Sequence, residues 1–163
     1  MTLIELLITL AIVFILASVA QPLTRVAGKR VKELELKADL RALRTAIDEF
    51  KRDWDRDGET LIGPLCRKNT LTCREVAGRY GYPKTLELLL AVPLSGPEAL
   101  FAGAATKRYL RRLPWDPITG SPDWARRCYR DEPSSRVWCG EDVFDISSLS
   151  GDTAVDGTAY RDW

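Results

Sequence analysis

Histidine is absent from all 163 residues. That removes the commonest general base and the commonest transition-metal ligand together. Serine–histidine and cysteine–histidine catalysis are excluded, and histidine-containing zinc sites with them. No glycine-rich phosphate loop occurs. An excess of one charge is also missing: 24 basic and 23 acidic residues leave a formal net charge of +1, too little to drive nucleic-acid binding by charge neutralisation. Paired carboxylates such as Asp53 and Asp55 are available for acid–base work, but they fall on a charged helix end, where such clusters are usually solvated. The cysteines lack a histidine base and are expected to be oxidised. The chain is therefore read as a non-enzyme, one modest globular domain plus an anchor.

What is present in abundance is apolar sequence at the start. The run from Met1 to Ala20 carries a single charge, Glu5. About 20 mainly apolar residues suffice to cross a bilayer as one helix. A carboxylate inside such a segment costs about 2.5–3.5 kcal/mol on insertion scales, which marks Glu5 as a functional residue. Snorkelling to a nearby membrane surface is the plainer alternative. The first cation available to it is the α-amino group of residue 1, its own or that of a neighbouring copy.

Thr2-Leu3-Ile4-Glu5-Leu6 opening an apolar run resembles the mature N-terminus of the type IV pilin superfamily. The resemblance implies removal of a short basic leader by a prepilin peptidase and N-methylation of residue 1. Phenylalanine is usual at that position, where Met1 stands here. Pro22 matches a place where the first helix of these proteins commonly breaks. Glu5 paired with the amino group of residue 1 on the adjacent subunit would favour correct register and penalise misaligned docking.

The 4 cysteines are Cys66, Cys73, Cys128 and Cys139. An even number outside the membrane suggests disulfides in an oxidising compartment. The spacing favours Cys66–Cys73 and Cys128–Cys139, among about three possible connectivities. A tetracysteine zinc site is the competing reading, with gaps wider than its usual pairs. Arg25, Lys29, Arg30 and Lys32 follow the apolar run, where the positive-inside rule places cytoplasm. The cysteines and the resemblance place the C-terminal domain on the other side, outside the bacterial inner membrane, and a removed basic leader reconciles the two.

Helical periodicity continues past the apolar run. Leu36, Leu40, Leu43, Ile47, Phe50 and Trp54 recur at spacings of four, three, four, three and four, one apolar stripe. Ala27, Val31, Leu34 and Ala38 form a second, earlier stripe. Asp57-Gly58 offers a stop. Residues 1–56 thus read as one helix of about 80 Å, interrupted at Pro22 and softened at Gly28. The division expected is 1–24, a transmembrane and polymerisation helix; 25–57, its amphipathic continuation; and 58–163, a globular periplasmic or extracellular domain. The fold class is α+β, a long helix on a small antiparallel sheet with an irregular C-terminal loop.

In the middle, residues 60–72 read as loop. Gly81-Tyr82-Pro83-Lys84-Thr85-Leu86-Glu87-Leu88-Leu89 reads as a turn into a short helix that Thr85 caps, with Leu86, Leu89 and Leu90 as core. The segment resembles the Tyr-Pro-x-x-Leu-Glu-x-Leu element of major pseudopilins. Residues 101–105 suggest a connector. Leu113-Pro114-Trp115-Asp116-Pro117 resembles the Leu-Pro-x-Asp-Pro segment leading into the family's sheet, and its prolines fix an extended, turn-like path. Residues 128–130 and 136–139 read as strands of a hairpin clipped by Cys128–Cys139, and 143–146 as another strand.

Ser148-Leu149-Ser150-Gly151-Asp152 matches a Ser-Leu-x-x-Asp loop that holds calcium in major pseudopilins. The resemblance implies Asp152 as a carboxylate ligand, oxygens from Leu149 and Ser148, and Asp156 as a second carboxylate. The competing reading is a solvated turn in which aspartates cap backbone amides. The loop is shorter than the family's usual form and is not an EF-hand.

Apolar all round, the N-terminal half must lie in lipid or among copies of itself. The function expected is a structural subunit polymerising into an open helical filament, first the pseudopilus of a type II protein secretion system. The alternative is the major subunit of a long type IV pilus for adhesion, motility or DNA uptake. A third reading is a membrane-anchored metal-binding domain that never polymerises. The resemblance implies further partners: minor pilin-like subunits, an inner-membrane assembly platform and an ATPase.

Overall fold

The fold is α+β: a long N-terminal helix packed on small antiparallel sheets. A computed structural model describes residues 2–55, 76–93 and 106–163, with the side chains of 19–23 excepted. Helix α1 spans Leu3–Asp55, 53 residues, or about 80 Å at 1.5 Å per residue. It carries its helical backbone through Pro22 without ending there, against the expected interruption. One missing amide donor does not end a helix when well-formed turns flank it. The predicted stop at Asp57-Gly58 lies outside the described residues.

The second half of α1 builds the core. Leu36, Leu40, Leu43, Ile47 and Phe50 are buried to 2% exposure or less, and Trp54 packs at the edge. Full burial of one such side chain is worth about 1.5–3 kcal/mol, so the stripe outweighs any single polar contact on the helix. Facing it are Leu86, Leu89, Val92, Val143, Ile146 and Tyr160. The earlier stripe is left uncovered, with Ala27, Val31, Leu34 and Ala38 all exposed.

Strand β1 (Val92–Pro93) pairs antiparallel with β2 (Thr106–Lys107), Val92 opposite Lys107. Strand β3 (Ala125–Arg127) pairs antiparallel with β4 (Asp145–Ser147), Arg126 opposite Ile146. The expected hairpin of 128–130 and 136–139 does not form. Local bonds take its backbone groups instead: the Asp131 carboxylate accepts from the Cys128 amide at 2.9 Å, and the Ser135 amide donates to Glu132 O at 2.9 Å. Such contacts compete with a ladder, and the true partner of β3 is β4. The Cys128–Cys139 disulfide does form, clipping a run of turns rather than a hairpin. Leu86, Leu89 and Leu90 sit in or against a short 3-10 helix, Glu87–Leu90, which Thr85 does not cap; Leu86 precedes it with no side-chain cap.

Residues 148–159 form an irregular loop ending in a second 3-10 helix, Tyr160–Asp162. Among the described residues no helix is long and apolar enough to cross a membrane. The expected span falls partly on 19–23, whose side chains lie outside the description.

Candidate functional site: the exposed helix and the loop that clasps its base

The start of α1 stands clear of the domain core. Leu3 is 79% exposed and Phe14 73%, and every described side chain from Thr2 to Ser18 is exposed. Thr9 and Ser18 turn their hydroxyls onto the helix, Thr9 donating to Leu6 O at 2.9 Å and Ser18 to Ile15 O at 2.7 Å. The surface around them is left apolar, as an environment without water requires. Glu5 sits in the first turn, where the positive end of the helix dipole favours a carboxylate. Among the described residues its carboxylate has no hydrogen-bond or ion partner. Met1 lies outside the described residues, so the expected pairing with an amino group is not on display. Pro22 lies in helical backbone between this half and the packed half.

Below Pro22 the C-terminal segment clasps the helix. Arg44 is the main bolt: Nε donates to Asp145 Oδ1 at 2.7 Å, and Nη2 donates to Ile146 O at 2.9 Å and Trp163 O at 2.7 Å. Arg127 grips the other oxygen of Asp145. Glu33 Oε1 accepts from the Val155 amide at 2.8 Å and from the Tyr160 hydroxyl at 2.9 Å. Burial, and then this bond to Glu33, push the Tyr160 phenol up to about 12. Lys29 donates to Thr153 O at 2.6 Å, and the Lys37 ammonium lies 4.0 Å from the Trp163 ring centroid, a cation–π contact.

No protein-family model, curated protein or solved structure matches the chain.

The calcium residues are not gathered into a cage. Ser148 is buried and gives its hydroxyl to Asp116 Oδ2 at 2.6 Å. Asp156 Oδ1 accepts from the Thr158 amide at 2.9 Å and the Thr158 hydroxyl at 2.6 Å; those bonds hold its carboxyl below the usual range. The Leu149 side chain is exposed. Asp152 shares a groove with Arg25, Lys29 and Lys32. Calcium takes about six to eight oxygen ligands; in this loop the Ser148 hydroxyl is given to Asp116 and one oxygen of Asp156 to Thr158. Among the described residues one group of three possible ligands converges, Cys128, Asp131 and Cys139. Its sulfurs are joined in the disulfide, which also disposes of a tetracysteine zinc site. Cys66 and Cys73 lie outside the described residues.

Several residues that fix this geometry were not singled out from the sequence. Glu33 and Arg44 each stand three residues before a stripe member, Leu36 and Ile47, so a charge in stripe phase was the available signal. Asp116 is fully buried and accepts from the Ile118 amide at 2.8 Å as well as from Ser148, pinning the turn 116–121 beneath the C-terminal loop. Asp53 departs from the expected solvated surface: it is 8% exposed and accepts from Lys107 and from the Tyr109 hydroxyl. Burial and that bond raise the Tyr109 phenol well above its ordinary value. Asp55 does face solvent, paired with Lys51 at 2.6 Å.

Proposed function

We propose that this chain is a structural subunit that polymerises through residues 1–24 into a helical filament, most simply the pseudopilus of a type II protein secretion system. The single observation carrying the reading is the continuous apolar surface of α1 from Leu3 to Leu16, on a helix whose other half is already packed. Burying that surface requires lipid or several neighbours at once, because one globular domain covers only one face of a helix. A heterologous contact repeated along the chain gives an open filament. Before assembly the apolar half resides in the inner membrane with the domain in the periplasm. The partners follow from the pilin resemblance: a prepilin peptidase, minor pilin-like subunits, an assembly platform and an ATPase. The Cys128–Cys139 disulfide favours the second reading, a long type IV pilus, because a bond of this kind suits an exposed surface fibre.

Electron microscopy of the surface-sheared fraction, from cells making the protein at native level, separates the two. Long fibres built of this chain would establish the surface pilus; retention in the envelope, with crosslinked oligomers through residues 3–16, is the outcome expected of a short pseudopilus. Glu5→Leu is expected to leave membrane insertion intact and abolish the crosslinked ladder. A normal ladder from that variant would refute the role given to Glu5.

A further inference from the structure

The C-terminal loop meets α1 along an open groove of about 410 Å³. Arg25, Lys29 and Lys32 line it from the helix, with Asp152 and Tyr160 opposite. Three cations face one carboxylate, so the groove seeks an anion. Lys29 is fixed in place by its bond to Thr153 O and lies 5.8 Å from the Tyr160 ring centroid. A neutral carbonyl leaves its charge uncompensated, and an ammonium has further donors to offer. Arg25 and Lys32 have no hydrogen-bond or ion partner among the described residues. Gly28 lines the groove as well, and a Cβ there would meet nothing within 4 Å.

We propose that this groove binds the phosphate of an anionic phospholipid headgroup. The inference rests on the membrane residence of the apolar half given above. Arg25 lies five residues beyond Ala20, about 7.5 Å along the helix, at the outer edge of a headgroup layer about 5–7 Å deep; Lys29 and Lys32 stand farther out, about 13.5 and 18 Å, so Arg25 is the first of the three to meet a phosphate. Lysine stems reach back toward the same level. Basic residues next to an anchor attract anionic lipid, and here the fold sets them along a groove. That also accounts for their place on the far side of the membrane, which the positive-inside rule disfavours: anionic headgroups there would compensate them.

The test uses the full chain in zwitterionic detergent micelles, titrated with short-chain phosphatidylglycerol and followed by the amide resonances of Lys29 and Asp152. Saturable shifts are expected with phosphatidylglycerol and not with phosphatidylcholine of equal chain length. Arg25→Gln and Lys32→Gln should each weaken binding about fivefold. Gly28→Leu should weaken it without any change of charge, while the double variant Lys84→Gln/Arg136→Gln should leave it intact. Equal response to both lipids, or full binding by Gly28→Leu, would overturn the groove site. Saturation by glycerol phosphate alone at the same concentration would overturn the lipid source in favour of a soluble phosphoester. Flotation of the full chain with phosphatidylcholine vesicles checks the anchor independently. Flotation without the lipid-specific shifts defeats the groove alone, and no flotation defeats the membrane reading beneath it.

Discussion

Gly81 packs directly against Trp54 near the end of α1. Its φ is +81°, and a Cβ built there would lie 2.3 Å from Trp54 Cδ1 and 2.6 Å from Nε1. Gly81→Ala therefore meets two costs. The left-handed backbone costs a residue with a Cβ about 1–2 kcal/mol. Relieving the clash needs about 1 Å of movement from an indole packed on the core, an overpacking cost of about 1–3 kcal/mol. The loss expected is about 2–5 kcal/mol, a large share of a small domain's stability. Gly120 supplies the control: its φ is +69° but a Cβ there meets nothing within 4 Å, so Gly120→Ala should show the backbone cost alone. Urea unfolding of the full chain in detergent, followed by far-ultraviolet circular dichroism, measures both. A double-mutant cycle with Trp54→Ala should recover about 1–3 kcal/mol of coupling. If Gly81→Ala is no worse than Gly120→Ala, or shows no coupling to Trp54, the reasoning fails.

The disulfide between Cys128 and Cys139 spans a sequence separation of 11; replacing both by serine should cost roughly 3 kcal/mol by loop-closure entropy, read as a lower urea midpoint, and an unchanged midpoint would contradict it. Asp142 is buried, and burial raises its carboxyl from an ordinary 3.8, partly offset by the Tyr129 amide it accepts from. Its favourable contribution is present below the unfolded value and lost as pH rises through the folded one, so the charged form weakens the fold at neutral pH. Asp142→Asn keeps an acceptor oxygen and should raise the melting temperature at pH 7, with the gain vanishing near pH 3; a less stable variant at pH 7 would contradict the sign. Calcium added to chelator-treated protein should leave the melting temperature unchanged, because Ser148 and Asp156 already have protein partners; a calcium-dependent rise, abolished by Asp152→Ala, would restore the metal site.

Periodicity made the helix and its buried stripe legible, because Leu36 to Phe50 repeat at helical spacing over several turns. The Cys128–Cys139 bond was legible from spacing. The strands were not. Each is two or three residues long, too short for an alternating pattern to emerge, and cysteine and tryptophan at 128 and 138 suggested a hairpin that Asp131 and Ser135 replace with turns. The polar contacts were hidden for a different reason. Arg44 and Asp145 are 101 residues apart, and nothing local distinguishes Arg44 from a solvated arginine. Asp116 between two prolines announced a turn but not that its carboxylate would be buried under Ser148.

One helix carries two surfaces with different requirements, and the boundary between them is where the polar clasp sits. Below it the apolar stripe is one-sided, and a single domain satisfies it. Above it the apolar surface runs all round, which no single domain satisfies. Lys29 and Glu33 place their bonds between these regions, each to a different part of the C-terminal segment, and Arg44 adds its own within the packed half. A hydrogen bond of this kind contributes about 0.5–1.5 kcal/mol, more when charged, so together they resist local fraying of the helix where the domain's apolar cover ends. In the proposed filament that is the point where load passes from the packed helices to the domain. Loosening it by Glu33→Ala, which removes the acceptor of the Val155 amide and the Tyr160 hydroxyl, should leave the buried stripe in place yet let residues 29–37 open, seen as faster amide exchange there than in residues 43–50. Equal protection of the two segments in that variant would mean that packing alone holds the helix, and that the clasp has no mechanical part.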